Sequence, residues 1–238
     1  LDDLVDKDSF VEYGQLAIAA QKSRRELEEL RTETAADGII TGFGKINSEI
    51  LEDKRAVSAI IINDYSVLAG TQGYYHHKKL DRICETAEKQ NLPVLMYTEG
   101  GGGRPGDTDV HVQFAGLNIP SFSNWAKLKG KSLRIAVNNG YCFAGNAALF
   151  GTADFCISTK NSWLGMAGPA MIEGGGLGKV NPKDIGPAEE QEKLGVIDYL
   201  AEDEADATRF AKKLLSYFQG SLNKWETKDQ SILRNLIP

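Results

Sequence analysis

Apolar residues in the first half of the chain fall into two kinds of pattern. Two apolar runs, 39–46 and 56–63, flank a polar stretch, and the β-branched cluster at 60–62 is typical of a buried strand. These runs predict a strand pair. Between residues 70 and 90, apolar side chains recur at spacings of three and four residues, which predicts an amphipathic helix. The apolar positions of that helix are Leu80, Ile83, Cys84 and Ala87.

The alternation of strands and helices continues along the chain. Further strands are predicted at 94–98, 133–138 and 154–158, with a short helix after Cys142 and a last amphipathic helix at 204–218. Strands that alternate with helices are typical of an α/β core. The pattern divides the chain into a helical N-terminal segment (1–36), a central α/β domain (37–220) and a C-terminal tail (221–238).

Composition narrows the classes of function. The 238 residues include 27 Lys and Arg against 33 Asp and Glu, a net charge of −6, which disfavours a nucleic-acid partner. No apolar run approaches the roughly 18 residues of a membrane span, so no membrane partner is predicted. Three widely spaced cysteines favour a reducing compartment, the cytoplasm or the mitochondrial matrix. The chain begins with Leu1, and we expect it to be a piece of a longer protein.

Glycine is concentrated where strands are predicted to end, at 100–106, 140–145 and 174–178. Because glycine lets another group approach the backbone closely, such loops can hold a phosphate or a developing oxyanion, although each also fits a sharp turn. The segment 42–47 lacks the third glycine of a dinucleotide fingerprint, and no Gly-Lys-Ser/Thr closes a phosphate loop. A Rossmann dehydrogenase and a P-loop enzyme are therefore disfavoured.

Side chains that carry chemistry are few. His76 and His77 are adjacent, so on a helix they diverge by about 100° and make a poor metal pair, and their charged neighbours predict a solvated position. Cys142 precedes apolar residues, as a buried structural thiol does. No metal site is predicted. Backbone amides remain as the candidate chemical groups.

Five segments carry a resemblance to a known family. They read ADGIITGFG at 36–44, DYSVLAGTQG at 64–73, TEGGGGR at 98–104, GYCFAGNA at 140–147 and GPAMI at 168–172. In this order they are similar to the segments ADG-V-x-G-x-G, DFTVFGGSLG, DSGGAR, G-x-C-x-AGGA and TGP-x-VI of the biotin-dependent carboxyltransferases of the crotonase superfamily. Glu99 replaces a Ser and Asn146 replaces a Gly, and the stretch after Ile172 is richer in glycine. These departures indicate a divergent branch, such as a single-chain multidomain carboxylase.

The resemblance implies a fold, a function and a set of partners. The fold would be a crotonase-like spiral of ββα units. The protein would be the carboxyltransferase of an acyl-CoA carboxylase, moving CO2 from carboxybiotin, its biotin cofactor, to the α-carbon of an acyl-CoA. The chain has the length of the N-terminal half, which holds acyl-CoA in this family. Its partners would be the C-terminal half, the biotin carrier and biotin carboxylase domains, and further copies in a homo-oligomer.

The resemblance also assigns site residues. Gly145 and Asn146 match the oxyanion position, where two amide N–H groups would stabilise the enolate oxygen. On that basis Asn146→Gly is expected to cost little, whereas Asn146→Pro is expected to lower kcat by about 100-fold. The expected CoA-binding positions are Gly100, Gly101, Gly102, Ala69 and Gly70, with Lys78, Lys79 and Arg82 as the best local cations for phosphate.

Three other functions also fit these residues. One is a biotin-dependent acyl-CoA decarboxylase subunit, which would run the same chemistry in reverse. Another is an ordinary crotonase such as a hydratase, which needs placed carboxylates to move a water proton. The third is a non-catalytic module that binds CoA or holds a larger complex together.

Overall fold

The central sheet has seven strands whose spatial order follows the chain. The computed structural model describes residues 1–110, 119–223 and 229–235. The sheet strands, in order, are β1 (Val11–Glu12), β2 (Ile39–Lys45), β3 (Val57–Asn63), β4 (Val94–Tyr97), β5 (Arg134–Asn138), β7 (Phe155–Thr159) and β9 (Tyr199–Ala201). A second sheet pairs β6 (Tyr141–Phe143) with β8 (Trp163–Gly165).

Strand direction changes once across the sheet. The pairs β1–β2 and β2–β3 are antiparallel, and Ile39 pairs with Asn63 in the second of them. From β3 to β9 every pair is parallel. Parallel strands covered on both faces are apolar throughout, and all four residues of β4 are buried.

Eight α-helices lie in the described part of the chain. They are α1 (Leu27–Glu33), α2 (Asp53–Ala56), α3 (Tyr74–Gln90), α4 (Ser121–Lys127), α5 (Gly145–Gly151), α6 (Pro169–Gly174), α7 (Ala188–Lys193) and α8 (Glu204–Ser216). Helix α3 ends at Asn91, whose left-handed conformation lets its N–H pair with two carbonyls of the last turn. Helix α8 begins at Asp203, whose carboxylate accepts the Asp206 N–H.

The sheet separates two apolar layers. Side chains of successive strand residues point to opposite faces, so Ile60 and Leu95 pack toward α8 while Ile61 and Met96 pack toward α3 and α4. The order β2–β3–α3 is the ββα unit predicted from the sequence. A sheet with these two helical layers confirms the α/β expectation.

The N-terminal residues differ from the helical segment expected over 1–36. Val11 and Glu12 form an edge strand on β2, and only Leu27–Glu33 is α-helical within that segment. Leu4 and Leu30 are buried in the described structure, so these residues are part of the fold. Of the expected tail, 221–223 and 229–235 are described, with a 3-10 helix at Ser231–Asn235, and the rest of it lies outside the described residues.

Candidate active site

The loop that follows β4 adds itself to the small sheet. The N–H of Gly100 donates to the Tyr141 carbonyl at 2.8 Å, and the Phe143 N–H donates to the Gly100 carbonyl at 2.8 Å. A Cβ on Gly100 would lie 2.2 Å from both Asn146 Nδ2 and the Gly70 carbonyl oxygen. Glycine is therefore required at position 100 by the close approach of another part of the backbone.

A turn at Ala144 joins β6 to α5 and leaves amides without partners. Ala144 has φ 53° and ψ −120°, and its own N–H donates to the Gly165 carbonyl at 2.8 Å. The N–H groups of Gly145 and Asn146 have no acceptor among the described residues. A Cβ on Gly102 would lie 3.3 Å from the Gly145 nitrogen, so the glycine loop borders these unpaired donors.

The Asn146 side chain fixes the glycine loop to the turn before α3. It is fully buried, and its Oδ1 accepts the Gly102 N–H at 3.0 Å. Its Nδ2 donates to the carbonyls of Glu99 at 3.2 Å and Gly70 at 3.4 Å. The side chain therefore has a structural task beside the predicted role of the main-chain amide, because a Gly at 146 would leave these buried groups unpaired.

The predicted CoA-binding glycines and Ala69 lie close together, and their main-chain groups pair with one another. The Gly101 N–H donates to the Ala69 carbonyl at 3.1 Å, and the amides of Gly100 and Gly102 are taken by Tyr141 and Asn146. Gly101 and Ala69 are exposed, so they form a wall that a ligand can contact without supplying donors to it.

Arg104, Asp37 and Asp107 form a buried charge cluster at the end of the glycine loop, which we call the Arg104 cluster. Arg104 Nη1 lies 2.6 Å from Asp37 Oδ1 and 3.3 Å from Asp107 Oδ1, and Nη2 donates to the Thr71 carbonyl at 2.8 Å. Burial raises the pKa of Asp37, and the Arg104 charge opposes that rise. This cluster was not predicted from the sequence, where its only signal was the Arg that ends the glycine loop.

Comparison with known proteins now decides the family. The family model described as the carboxyl transferase domain matches residues 1–235. The chain belongs to this family. The fold agrees, since the solved structure of a single-chain, multi-domain long-chain acyl-CoA carboxylase matches the whole chain with a TM-score of 0.91 and 48% identity. The chain covers 23% of that protein. The crotonase-like α/β fold is thereby confirmed.

Three further matches agree with this family. The methylmalonyl-CoA carboxyltransferase 12S subunit of Propionibacterium freudenreichii subsp. shermanii is 31% identical over 91% of this chain and 39% of its own length. A transcarboxylase 12S hexamer structure with methylmalonyl-CoA bound matches with a TM-score of 0.76 and 27% identity, over 100% of this chain and 45% of that one. The methylmalonyl-CoA decarboxylase subunit alpha of Veillonella parvula is 29% identical, over 90% of this chain and 40% of its length. This carboxyltransferase domain spans about two fifths of the curated relatives it matches.

The three predicted cations of the carboxyltransferase domain differ in exposure. Lys78 and Arg82 are exposed and line a recess of about 360 Å³ beside Tyr13. Lys79 is only 7% exposed, because its Nζ donates to the carbonyls of Ala36 and Ile39. The expectation that Lys79 is a solvated cation for phosphate was wrong.

The adjacent histidines are buried, contrary to their expected solvated position. His77 Nδ1 lies 2.9 Å from Ser121 Oγ, and Ser121 donates to Asp81 Oδ1 at 2.6 Å. Burial lowers the pKa of His77 to about 4 and holds the pKa of His76 well below its usual range. Both face inward because α3 is covered on one side by the sheet and on another by α4, which its charged sequence did not reveal.

The Glu99 carboxylate accepts a hydrogen bond from the residue that follows β5. Oε1 accepts the Asn139 N–H at 2.5 Å, and burial raises the pKa of Glu99 to about 7.

Cys142 is fully buried and burial raises the pKa of its thiol, as expected of a structural cysteine. The described ranges hold no group of three or more His, Cys, Asp or Glu side chains that could bind a metal ion. None of the helices described is long and apolar enough to cross a membrane.

Proposed function

We propose that the chain is the acyl-CoA-binding half of a biotin-dependent carboxyltransferase, which moves CO2 from carboxybiotin to the α-carbon of an acyl-CoA. The observation that carries this proposal is the junction of the glycine loop with the Ala144 turn. There, two unpaired amides border an exposed glycine wall in a chain 48% identical to part of an acyl-CoA carboxylase. The chain would position one substrate of a two-substrate reaction.

The groups around this junction fit a reaction in which the cofactor supplies the base. Asp37 and Asp107 are paired with Arg104, and the Glu99 carboxylate is turned toward Asn139. A hydratase needs free carboxylates beside the substrate, so this arrangement favours the carboxyltransferase. Biotin, when bound on its carrier, supplies the CO2 and a nitrogen base. We assign no described residue to hold it.

The main-chain amides of Gly145 and Asn146 would stabilise the developing enolate oxygen of the thioester. Fixed donors aimed at a developing negative charge contribute about 3 to 4 kcal/mol each to transition-state stabilisation. The donors would be held in place by the Asn146 side chain, which ties the glycine loop and the Ala144 turn together. Substrate orientation and oxyanion stabilisation would thus be the tasks of this chain.

The CoA phosphates would need local cations, because the chain carries a net charge of −6. Lys78 and Arg82 are exposed at the rim of the recess on α3, and Tyr75 lines the same recess with an exposed ring. We retain these two cations as CoA-binding residues and exclude Lys79, whose ammonium is held by carbonyls. Binding through exposed charges would weaken as salt increases.

An exposed apolar surface around α6 would bind the C-terminal half of the carboxyltransferase. Met166, Met171 and Leu177 are 68%, 64% and 79% exposed, and no residue of α6 is buried. In the relatives, more than half of the length lies outside the part that this chain matches. That remaining part would include the C-terminal half that binds this surface. The 12S hexamer supports a homo-oligomer of the full protein. The biotin carrier and biotin carboxylase domains would complete the reaction.

The free, buried cysteines are consistent with a reducing compartment, and we propose the cytoplasm or the mitochondrial matrix as the location. A localisation experiment with a tagged full-length protein would decide between these two compartments.

Calorimetry with octanoyl-CoA tests the proposed binding. We expect binding that weakens when NaCl is raised from 50 to 500 mM and that falls about 10-fold in the Lys78→Ala/Arg82→Ala variant. Lys89→Ala removes an exposed charge at the other end of α3 and serves as the control. Absence of CoA-ester binding by the folded chain would contradict the proposal.

Activity provides the second arm of this test. The chain with carboxybiotinylated carrier alone should not carboxylate an acyl-CoA, and adding the C-terminal half should restore the reaction. Full carboxylation without the C-terminal half would show that the chain is not half of the site.

The decarboxylase remains a second candidate because one relative is a methylmalonyl-CoA decarboxylase subunit. Carboxylation and decarboxylation would use the same residues of this chain. The two activities are therefore distinguished by whether the reaction is coupled to ATP and bicarbonate. A carboxylase holoenzyme requires ATP and bicarbonate, whereas a decarboxylase releases CO2 from a carboxyacyl-CoA without them.

A further inference from the structure

Gln72 places a buried carboxamide against the residue where the unpaired amides begin. Its main chain is fixed, since its N–H donates to the Gly102 carbonyl at 2.7 Å and its carbonyl accepts the Arg104 N–H at 2.9 Å. Its side chain is 3% exposed. Gln72 Oε1 lies 2.5 Å from the position that a Cβ on Gly145 would occupy. The carboxamide therefore covers the Cα of Gly145.

The Nε2 group of Gln72 is a buried donor with no acceptor among the described residues. A buried N–H without a partner destabilises a protein, so most such groups are paired, and an exception requires an explanation. The segment that 64–73 resembles, DFTVFGGSLG, has Leu at this position. A Leu would cover Gly145 without leaving any donor unpaired. The Gln is thus locally unfavourable where an apolar residue would fit.

The surroundings of Gln72 determine which kind of ligand atom would satisfy it. The neighbouring unpaired groups, the N–H groups of Gly145 and Asn146, are donors as well. The Phe122 side chain approaches the same face of Gly145, with its Cζ 3.2 Å from the Cβ position. Unpaired donors beside an aromatic ring suit a ligand with an acceptor oxygen on an otherwise apolar group.

We propose that Gln72 Nε2 donates a hydrogen bond to the carbonyl oxygen of the acyl thioester, the same oxygen that would face Gly145 and Asn146. The inference rests on the proposed acyl-CoA site and adds a neutral side-chain donor to it. The hydrogen bond involves no proton transfer, and the amide stays neutral. Gln72 would thereby help to orient the thioester for removal of the α-proton.

A pair of ligands that differ only in the carbonyl oxygen isolates this contact. The chain would be titrated with octanoyl-CoA and with S-octyl-CoA, a thioether that lacks that oxygen. In Gln72→Leu we expect about 10-fold weaker binding of octanoyl-CoA and unchanged binding of S-octyl-CoA. We expect the thermal midpoint to be unchanged or higher, because an unpaired buried donor has been removed. Gln90→Leu, the same change at an exposed position on α3, should alter neither affinity.

Each other outcome has a definite meaning. If Gln72→Leu binds both ligands as the wild type does, or loses both equally, the inference about Gln72 is overturned while the proposed function stands. If the wild type binds neither ligand, the proposed acyl-CoA site itself fails. Should Gln72→Leu not fold, Gln72→Met supplies an unbranched side chain of similar size without the donor, and the same ratio of affinities decides.

Discussion

The glycine loops at 100–103 and 174–178 have similar compositions and opposite surroundings. A Cβ on Gly100 or Gly102 would approach another residue within 3 Å, at 2.2 Å and 2.6 Å respectively. At Gly174, Gly176 and Gly178 a Cβ would meet nothing within 4 Å. Glycines in such runs therefore have two physical origins, close packing at Gly100 and Gly102 and open space at Gly174, Gly176 and Gly178.

The difference separates a rigid part of the site from a surface left for a partner. The first loop is fixed by main-chain pairing, by Asn146 and by the Arg104 cluster. The second loop follows α6, which buries none of its residues, and its glycines Gly176 and Gly178 have φ values of 77° and 90°. Conformation alone favours glycine there. Substitutions in the first loop should consequently lower the free energy of unfolding more than the same substitutions in the second loop.

The largest effect is expected when the Arg104 cluster is broken. Arg104→Met would leave the buried carboxylates Asp37 and Asp107 without their cation, and we expect a loss of about 3 to 5 kcal/mol in the free energy of unfolding. Urea denaturation measures it. Arg209→Met is the control, since Arg209 is 73% exposed in its pair with Asp206 and should cost less than about 1 kcal/mol. Equal losses in the two variants would contradict the structural role of the cluster.

The same substitution in the two glycine loops tests the comparison directly. Gly100→Ala would place a methyl group against the Gly70 carbonyl, and we expect a loss of about 3 kcal/mol because the backbone must move. Gly174→Ala lies at the end of α6 in open space and should be neutral or stabilising by about 0.5 kcal/mol. Thermal and urea denaturation measure both. A Gly100→Ala variant as stable as Gly174→Ala would show that the first loop is not closely packed.

An intermediate effect is expected at the residue that ties the first loop to its neighbours. Asn146→Gly would leave the Gly102 N–H and the Glu99 carbonyl unpaired, at a cost of about 2 kcal/mol. Hydrogen exchange at the Gly102 amide should accelerate along with the loss of stability. Asn181→Gly is the matched control, because Asn181 caps an exposed 3-10 turn and should cost a few tenths of a kcal/mol. Unchanged exchange at Gly102 would argue against the contact.

Much of the fold could be predicted because its elements are local. The apolar spacing on α3 and the β-branched run of β3 depend on neighbouring residues, so those elements were found within a few residues of their ends. The edge strand at Val11–Glu12 was missed, since its pairing with β2 depends on residues 30 positions away. Two-residue strands carry too little pattern to be recognised.

The candidate site was predictable only through its backbone. The glycine loop and the segment containing Gly145 were found because close backbone approach favours glycine. The side chains that support them were missed or misassigned. Lys79 and His77 follow the pattern of a solvated helix, yet both are buried by elements distant in sequence. A polar residue at such a position shows its role only when its buried partners are known.

The smallest expected effect is on the pH dependence of the free energy of unfolding. It compares Glu99, beside the first loop, with Glu173, beside the second. Burial raises the pKa of Glu99 from 4.5 to about 7 in the folded protein, so between these pH values the folded chain holds a proton that the unfolded chain has lost. The free energy of unfolding therefore decreases as pH rises through this window, and the contribution of Glu99 is fully present only below about pH 4.5. Glu99→Gln removes this dependence because Gln does not titrate. The wild type should lose about 1 kcal/mol more than Glu99→Gln between pH 5 and pH 7.5, a figure reduced for the partial solvent access of this side chain.

Comparing the pH profiles of the wild type and Glu99→Gln separates the effect of Glu99 from that of groups whose titration makes the fold more stable as pH rises. Burial lowers the pKa of His77 to about 4, so His77 makes the fold more stable as pH rises from about 4 to 6.5, and it does so equally in both proteins. Glu173→Gln, beside the open loop and 56% exposed, is the control and should leave the pH profile of the wild type unchanged. If urea denaturation at several pH values gave parallel profiles for the wild type and Glu99→Gln, the Glu99 carboxyl would be solvated in the folded protein. In that case the carboxyl groups beside the two loops, Glu99 and Glu173, would be solvated to a similar degree. The two loops would then differ in the packing of their glycines but not in the solvation of the neighbouring carboxyl group.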